Sequence, residues 1–443
     1  MPDRAAALVR RYYIYSGIYT LASSVIWGVN TLFLLDAGLS VSEVFIANAA
    51  WSAGTTLFEI PTGVIADTIG RRASFLLSLA VLALSTLAYV GLAEIGGGLV
   101  AFAGVSVLIG LGFTFYSGAM EAWVVDGVHA LGYVGEMDRV FSRGQVVSGA
   151  AMITGTIGGG LLGQIDLSIP FLLRSGLLVV LFALAFVGMH DLGFRPRRIG
   201  WRQVPAEAVA IGSAGIQFGW SNRSLRLLML GTAAQMGVFA WAWYAWQPYF
   251  LELLENDHVW VAGFVAALLS TSMMVGNGLV EVVSKWCGRR STVFLWSAAA
   301  FSAALIGMGL TSSFALALAL LCLGGVAVGV QSPVRQAFLH RIVPSEQRAT
   351  VVSFDSMITG GVSVGGQAGL GYLSERRGFS AGYVVCGVIT LTAIPFFSLV
   401  RKEGDEADFF LGANPEFASA TPAVPPISQV DGEVSIDRAA PTG

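Results

Sequence analysis

Four ionisable residues stand inside long apolar runs of this chain: Glu59, Glu121, Arg174 and Arg335. A charge within a membrane helix is costly, so it faces a partner, a cavity or an ion pathway. A carboxylate there can carry a proton, and a cation can neutralise it or hold a substrate. Glu121 follows Gly110, Thr114 and Ser117 at helical spacing, a polar stripe expected to face a cavity. Arg335, with Gln331 and Ser332 beside it, lies about as far from its segment's end as Glu121 does. We expect Glu121 and Arg335 to meet across that cavity in one state and separate in another, which would couple a proton to the movement. The plainer alternative is a fixed ion pair. Glu59, followed by Pro61, is the rival proton site, unless it serves backbone groups that Pro61 frees. Arg174 sits one turn after Pro170 and is placed to snorkel to an interface.

Such residues need a helical bundle in lipid to position them. Apolar residues make up 55% of the 443 and charged ones 12%, against about 25% in a soluble domain. Mean hydropathy is +0.71. Apolar runs place spans near 12–36, 41–66, 73–95, 98–128, 140–165, 168–190, 225–251, 259–284, 291–312, 314–342, 349–373 and 379–400. The expected fold is therefore an all-α polytopic membrane protein of twelve transmembrane helices. The first run, from Tyr12 to about Leu35, is too long for a cleaved signal. Basic residues gather on alternate loops: Arg71 and Arg72, Arg139 and Arg143, the group from Arg195 to Arg226, Lys285 to Arg290, Arg341 and Arg348, Arg401 and Lys402. The loops between them hold only Arg376 and Arg377, so the positive-inside rule puts both termini in the cytoplasm. A multi-pass protein of the cell membrane follows, with the lipid bilayer as its surroundings and a monomer expected.

One loop occurs twice. Gly63-Val-Ile-Ala-Asp67-Thr-Ile-Gly70-Arg71-Arg72 follows the second span, and Glu281-Val-Val-Ser-Lys285-Trp-Cys-Gly288-Arg289-Arg290 follows the eighth, 218 residues later. The first copy resembles the signature loop of the major facilitator superfamily. That resemblance covers roughly residues 10–402. It implies two pseudo-symmetric six-helix bundles: a half at 1–190, a cytoplasmic linker at 191–224, a half at 225–402 and a disordered tail at 403–443. It also implies a gate. Gly63 would allow close helix approach and Gly70 a tight turn, while Asp67 would join Asp126 through Arg71 or Arg139. The second copy has Lys285 where the acid should stand, so only the first is expected to work as the full switch. The stretch Ser117 to Trp123 with Asp126 looks like a drug-efflux subgroup. Gly155-Thr-Ile-Gly158-Gly159-Gly160-Leu-Leu-Gly163 resembles the antiporter motif without its proline, and glycine packing would also explain it.

In that fold spans 1, 4, 7 and 10 line the cavity. Trp27 and Asn30, then Thr114 and Ser117, then Gln235, Trp243 and Trp246, and Gln331 are the substrate candidates. Aromatic walls suit a bulky apolar or cationic solute, although such rings also form interface belts. The expected function is proton-coupled efflux of small apolar or amphipathic compounds, the alternative a nutrient or metabolite symporter or uniporter. A receptor would leave the gate loop without a purpose. The four histidines are scattered, with no nucleophile triad, metal spacing or phosphate loop. No enzyme activity, cofactor, metal or nucleic-acid partner is expected; the partners are a small-molecule substrate and a proton.

Overall fold

The computed structural model describes residues 3–133, 135, 137–194, 204–255, 258–344 and 348–410. Those residues are helical almost throughout. The first set of helices is α1 (Asp3–Ser24), α2 (Asn30–Asp36), α3 (Val41–Ile69), α4 (Arg71–Glu94), α5 (Leu99–Tyr116), α6 (Ala119–Ala130), α7 (Asp138–Gly163) and α8 (Ile169–Gly188). After α9 (Val204–Ser221) come α10 (Arg223–Leu254), α11 (Val259–Cys287), α12 (Arg290–Leu310), α13 (Phe314–Ile342), α14 (Arg348–Leu391) and α15 (Ala393–Glu403). Among the described residues, nine helical stretches are long and apolar enough to cross a membrane. Large apolar side chains such as Leu84, Val100, Val187 and Trp296 point outward, as a lipid-facing surface requires.

Local chemistry sets the helix ends. Ser40 accepts from the Glu43 amide while Glu43 accepts from the Ser40 amide, a reciprocal cap that starts α3. Asn222 caps α10 and Ser313 caps α13 in the same sense, each accepting from an amide three residues on. Two expected spans are broken. The first is interrupted between Ser24 and Asn30, which leaves Trp27 on an irregular segment. The fourth breaks at Ser117-Gly118, where Gly118 takes a left-handed φ of 71°. The last long stretch bends at Gly378, with φ 82°, between the two spans expected there.

Helices of the first set pack mainly on one another: α1 on α7 and α8, α3 on α5, and α4 on α5 and α8. In the second set α10 packs on α14 and α15, and α13 on α11 and α12. The sets meet along α3 and α14, α7 and α11, and α2 and α10. The segment 191–224 is more than a tether, because its α9 packs against α3 and α14. Arg195, Arg197, Arg198 and Arg202 lie outside the described residues. The tail expectation is corrected over its first part. Glu406–Asp408 form a 3₁₀ turn with Ala407 and Asp408 buried, and Phe409 bridges to Arg289. The chain from 411 onward lies outside the described residues.

Candidate functional site

Two Gly-Arg-Arg loops mark one end of the molecule, and an aspartate docks on each. At the first, Gly70 turns with φ 108° and the Arg72 amide donates to Asp191 Oδ1 at 2.9 Å. Arg72 also donates to the Phe186 carbonyl at 2.7 Å, and Arg11 to that of Gly188 at 2.7 Å, so cations close the negative end of α8. At the second loop, the Ser291 amide donates to Asp408 Oδ1 at 2.6 Å and its hydroxyl to Oδ2 at 2.7 Å. Arg290 donates to the Ala407 and Phe409 carbonyls at 2.5 and 2.6 Å. Burial pushes both carboxyls above their ordinary pKa, against the pull of those amide hydrogen bonds. Neither aspartate was singled out by sequence. The usable signal was their common position just beyond the last helix of each set.

The gate residues are only partly brought together. Asp67 pairs with Arg71 at 2.6 Å, one helical turn away. Asp126 and both arginines lie within electrostatic reach of Asp191, but Arg71 forms no ion pair with Asp126 among the described residues. Arg139 is exposed on α7. Gly63 has open space where a Cβ would stand, so in this state it serves no close approach. In the degenerate copy Lys285 pairs with Glu281 at 3.4 Å on the surface.

Between the sets lies a cavity of about 440 Å³ that holds Glu59, Ser117, Thr232, Arg335 and Asp355. Ser117 donates to Glu59 Oε1 at 3.2 Å. The break at Gly118 explains why: it frees Ser117 from helical register and ends the stripe that was to continue to Glu121. Glu121 is exposed on α6 and does not line this cavity. Pro61 frees a carbonyl on α3, and among the described residues no hydrogen bond joins the Glu59 side chain to it. Arg335 meets Asp355 rather than Glu121, in a close ion pair, and also donates to Thr232 at 2.9 Å. Asp355 escaped the sequence reading because it stands one or two turns inside its span, where an acid still reads as a helix-end charge.

A second chamber of about 180 Å³ continues beyond the Trp51–Phe113 ring pair, which lines both spaces. Trp27, Asn30, Trp243 and Arg174 line it. Arg174 is 6% exposed and does not snorkel. Four other candidates face elsewhere. Gln235 and Gln331 are buried and exchange amide hydrogen bonds at 2.9 and 2.8 Å. Thr114 donates to the Leu111 carbonyl, and Trp246 lies in the apolar core of the second set. A wider apolar groove of about 730 Å³ lies between α3, α9 and α14, without an ionisable lining residue among the described ones.

The end opposite the loops is shut. Gln247 accepts from the Thr31 amide and donates to the Trp27 carbonyl, both at 2.8 Å. The Ser42 amide donates to Glu375 at 2.7 Å. The glycine-rich stretch of α7 explains itself here. A Cβ on Gly155 would strike the Ser24 hydroxyl and one on Gly159 the Val25 carbonyl, and one on Gly160 would come within 2.7 Å of Gly263 Cα.

Fold and site define a multi-pass helical membrane protein with a polar cavity between two sets of helices. The family model described as Major Facilitator Superfamily matches residues 259–424. The uncharacterised MFS-type transporter YxaM of Bacillus subtilis (strain 168) is 21% identical over 405 residues, covering 89% of this chain and 96% of the relative. Among solved structures, the nucleoside transporter NupG is similar with a TM-score of 0.73 at 10% identity, over 89% of this chain and 99% of that one. An inward-facing, unoccupied bacterial homolog of the human lysosomal transporter Spinster gives 0.70 at 13%, over 93% and 100%. The human organic anion transporter MFSD10 (TETRAN) gives 0.61 at 16%, over 90% and 100%. Together these findings support the superfamily and a transporter of its type.

Proposed function

We propose that the chain is a secondary active transporter that exports small amphipathic compounds by alternating access, coupled to protons. In this reading it has twelve spans in two pseudo-symmetric bundles, residues 1–190 and 225–402, with both termini cytoplasmic. Counting the stretch bent at Gly378 as two crossings and adding α1–α2 and α3 to the remaining apolar stretches gives that number. The observation that carries the reading is the Glu59–Ser117 contact in a polar cavity whose far end is sealed by α7 on α11. Glu59 is the proton carrier in this scheme, and the Arg335–Asp355 pair supplies the facing charges. Asp67–Arg71 with Asp191 forms part of the cytoplasmic gate, which assembles when that end closes.

The test is transport of a compound panel in vesicles with an imposed pH gradient. Glu59→Gln should abolish gradient-driven flux and retain exchange of substrate for substrate, while Glu121→Gln keeps both. Wild-type gradient-driven flux in Glu59→Gln would overturn the proton assignment. A second reading, uptake of a metabolite by symport or uniport, draws on the polar wall formed by Asn30, Asn48, Thr232 and Arg335. Accumulation with the gradient, rather than against it, would favour that reading.

A further inference from the structure

The chamber beyond Trp51 and Phe113 collects hydrogen-bond donors that have nothing to donate to. The Arg174 Nε and the Asn48 amide nitrogen are buried without a partner, the Tyr19 hydroxyl lies near them with the Ser23 and Ser78 hydroxyls beside it, and all three residues line this one space. They are 6%, 4% and 4% exposed. Asn48 spends its carbonyl oxygen on Asn30, at 3.1 Å, which leaves its NH₂ over. Among the described residues, no carboxylate lines the chamber and no ion pair includes Arg174. Its polar surroundings are the phenols of Tyr19, Tyr89 and Tyr244. A guanidinium cannot shed its proton to escape burial. A buried cation left without a counter-charge is strongly unfavourable, so a fold that keeps one implies that the counter-charge comes from outside.

We propose that this chamber binds the anionic head group, a carboxylate or phosphate, of a small solute with an apolar body. Arg174 is its counter-ion, and Tyr19 and Asn48 are further donors. This rests on the transporter reading and names the substrate class of the same site. It replaces the apolar or cationic solute suggested by the aromatic residues alone. Trp27 and Trp243, whose rings meet edge to face at 6.2 Å, hold the apolar body. At about 180 Å³ the chamber suits a compound of one ring. The solute passes the Trp51–Phe113 pair to reach it from the cavity that contains Glu59. Entry and coupling are thus separate from head-group recognition.

The test uses the full chain in phosphatidylcholine nanodiscs, with benzoate, phenyl phosphate, benzamide and benzylamine as probes. Ligand-induced shifts in unfolding temperature read binding without requiring transport. Benzoate or phenyl phosphate should bind about 10- to 100-fold more tightly than benzamide, the worth of a charge-assisted hydrogen bond to a buried cation. Arg174→Met should erase that preference and raise the unfolding temperature of the ligand-free protein. Should Arg174→Met fail to fold, Tyr19→Phe and Asn48→Leu serve instead. Each should weaken the anions and leave benzamide unchanged. Equal binding of all four probes to the wild type, or an anion preference that survives Arg174→Met, overturns the proposal. So does an Arg174-dependent shift produced by phosphatidylglycerol alone, which would make the head group a lipid's. The same probes in the vesicle assay keep the two readings apart. Anion binding without flux sinks the transporter reading alone; gradient-driven flux of benzamide and benzylamine without anion binding sinks this inference alone.

Discussion

Replacing Gly263 with alanine tests whether glycine packing holds one end of the molecule shut. The added Cβ would lie 2.5 Å from the Thr156 carbonyl oxygen and 2.8 Å from Gly160 Cα, where ordinary contact begins near 3.4 Å. Both obstacles are backbone of α7, so no side chain can turn aside. The helices must separate by about 0.6 to 0.9 Å along this line. Overpacking of that kind costs about 1–3 kcal/mol. The cost falls only on the state in which α7 and α11 touch. The equilibrium should therefore move toward the state open at that end by about 5- to 150-fold. The assay is a spin-label distance distribution between Ile165→Cys and Leu310→Cys, both exposed at that end, with Cys287 and Cys322 replaced by serine. Gly263→Ala should enlarge the long-distance population. Gly158→Ala, with nothing near its Cβ, should leave it unchanged. An unchanged distribution in Gly263→Ala, or an equal shift in Gly158→Ala, would show that something other than this contact seals the end.

Further expectations follow from buried polar pairs. Asp355→Asn leaves Arg335 with an uncompensated charge and should cost about 3–5 kcal/mol, while Arg335→Met with Asp355→Leu should cost much less, both read by thermal unfolding. Gln235→Leu or Gln331→Leu orphans a buried amide and should cost about 1–3 kcal/mol; the double variant should fall well short of the sum, and additivity would refute the pairing. Because burial raises the Asp408 pKa, the docked segment prefers the protonated acid. This contribution is fully present below about pH 3.9 and is lost as pH rises through the raised value. Limited proteolysis after residue 404 should accordingly speed up with rising pH, and Asp408→Asn should remove the dependence.

The helical segments and the repeated loop were legible because apolar length and Gly-Arg-Arg spacing are local properties. The breaks were not. Gly118 stands among small residues and reads as a packing glycine, so nothing marked the left-handed turn that separates Ser117 from Glu121. Pairing was less legible still. Arg335 and Glu121 sit at matching heights on related segments, yet Arg335 pairs with Asp355, 20 residues along the chain on a neighbouring helix. Arg174 was visible as a charge, but its lack of a partner is a property of three-dimensional surroundings. The linker's α9 and the docked residues 405–410 were hidden by averaging over polar, charged stretches.

The two docked aspartates also order events during synthesis. The first Gly-Arg-Arg loop receives its cap 119 residues after Arg72, when Asp191 emerges and before the second set of helices has been made. The second waits 117 residues beyond Ser291 for Asp408, the last buried polar anchor in the described chain. Until then Arg290 has none of its carbonyl partners and the start of α12 carries an uncapped amide. The first set of helices can thus reach its final form during insertion, whereas the second is completed only after synthesis has passed Asp408. A chain cut short before Asp408 would leave the ribosome with one loop finished and the other open, an asymmetry that quality-control proteases could read.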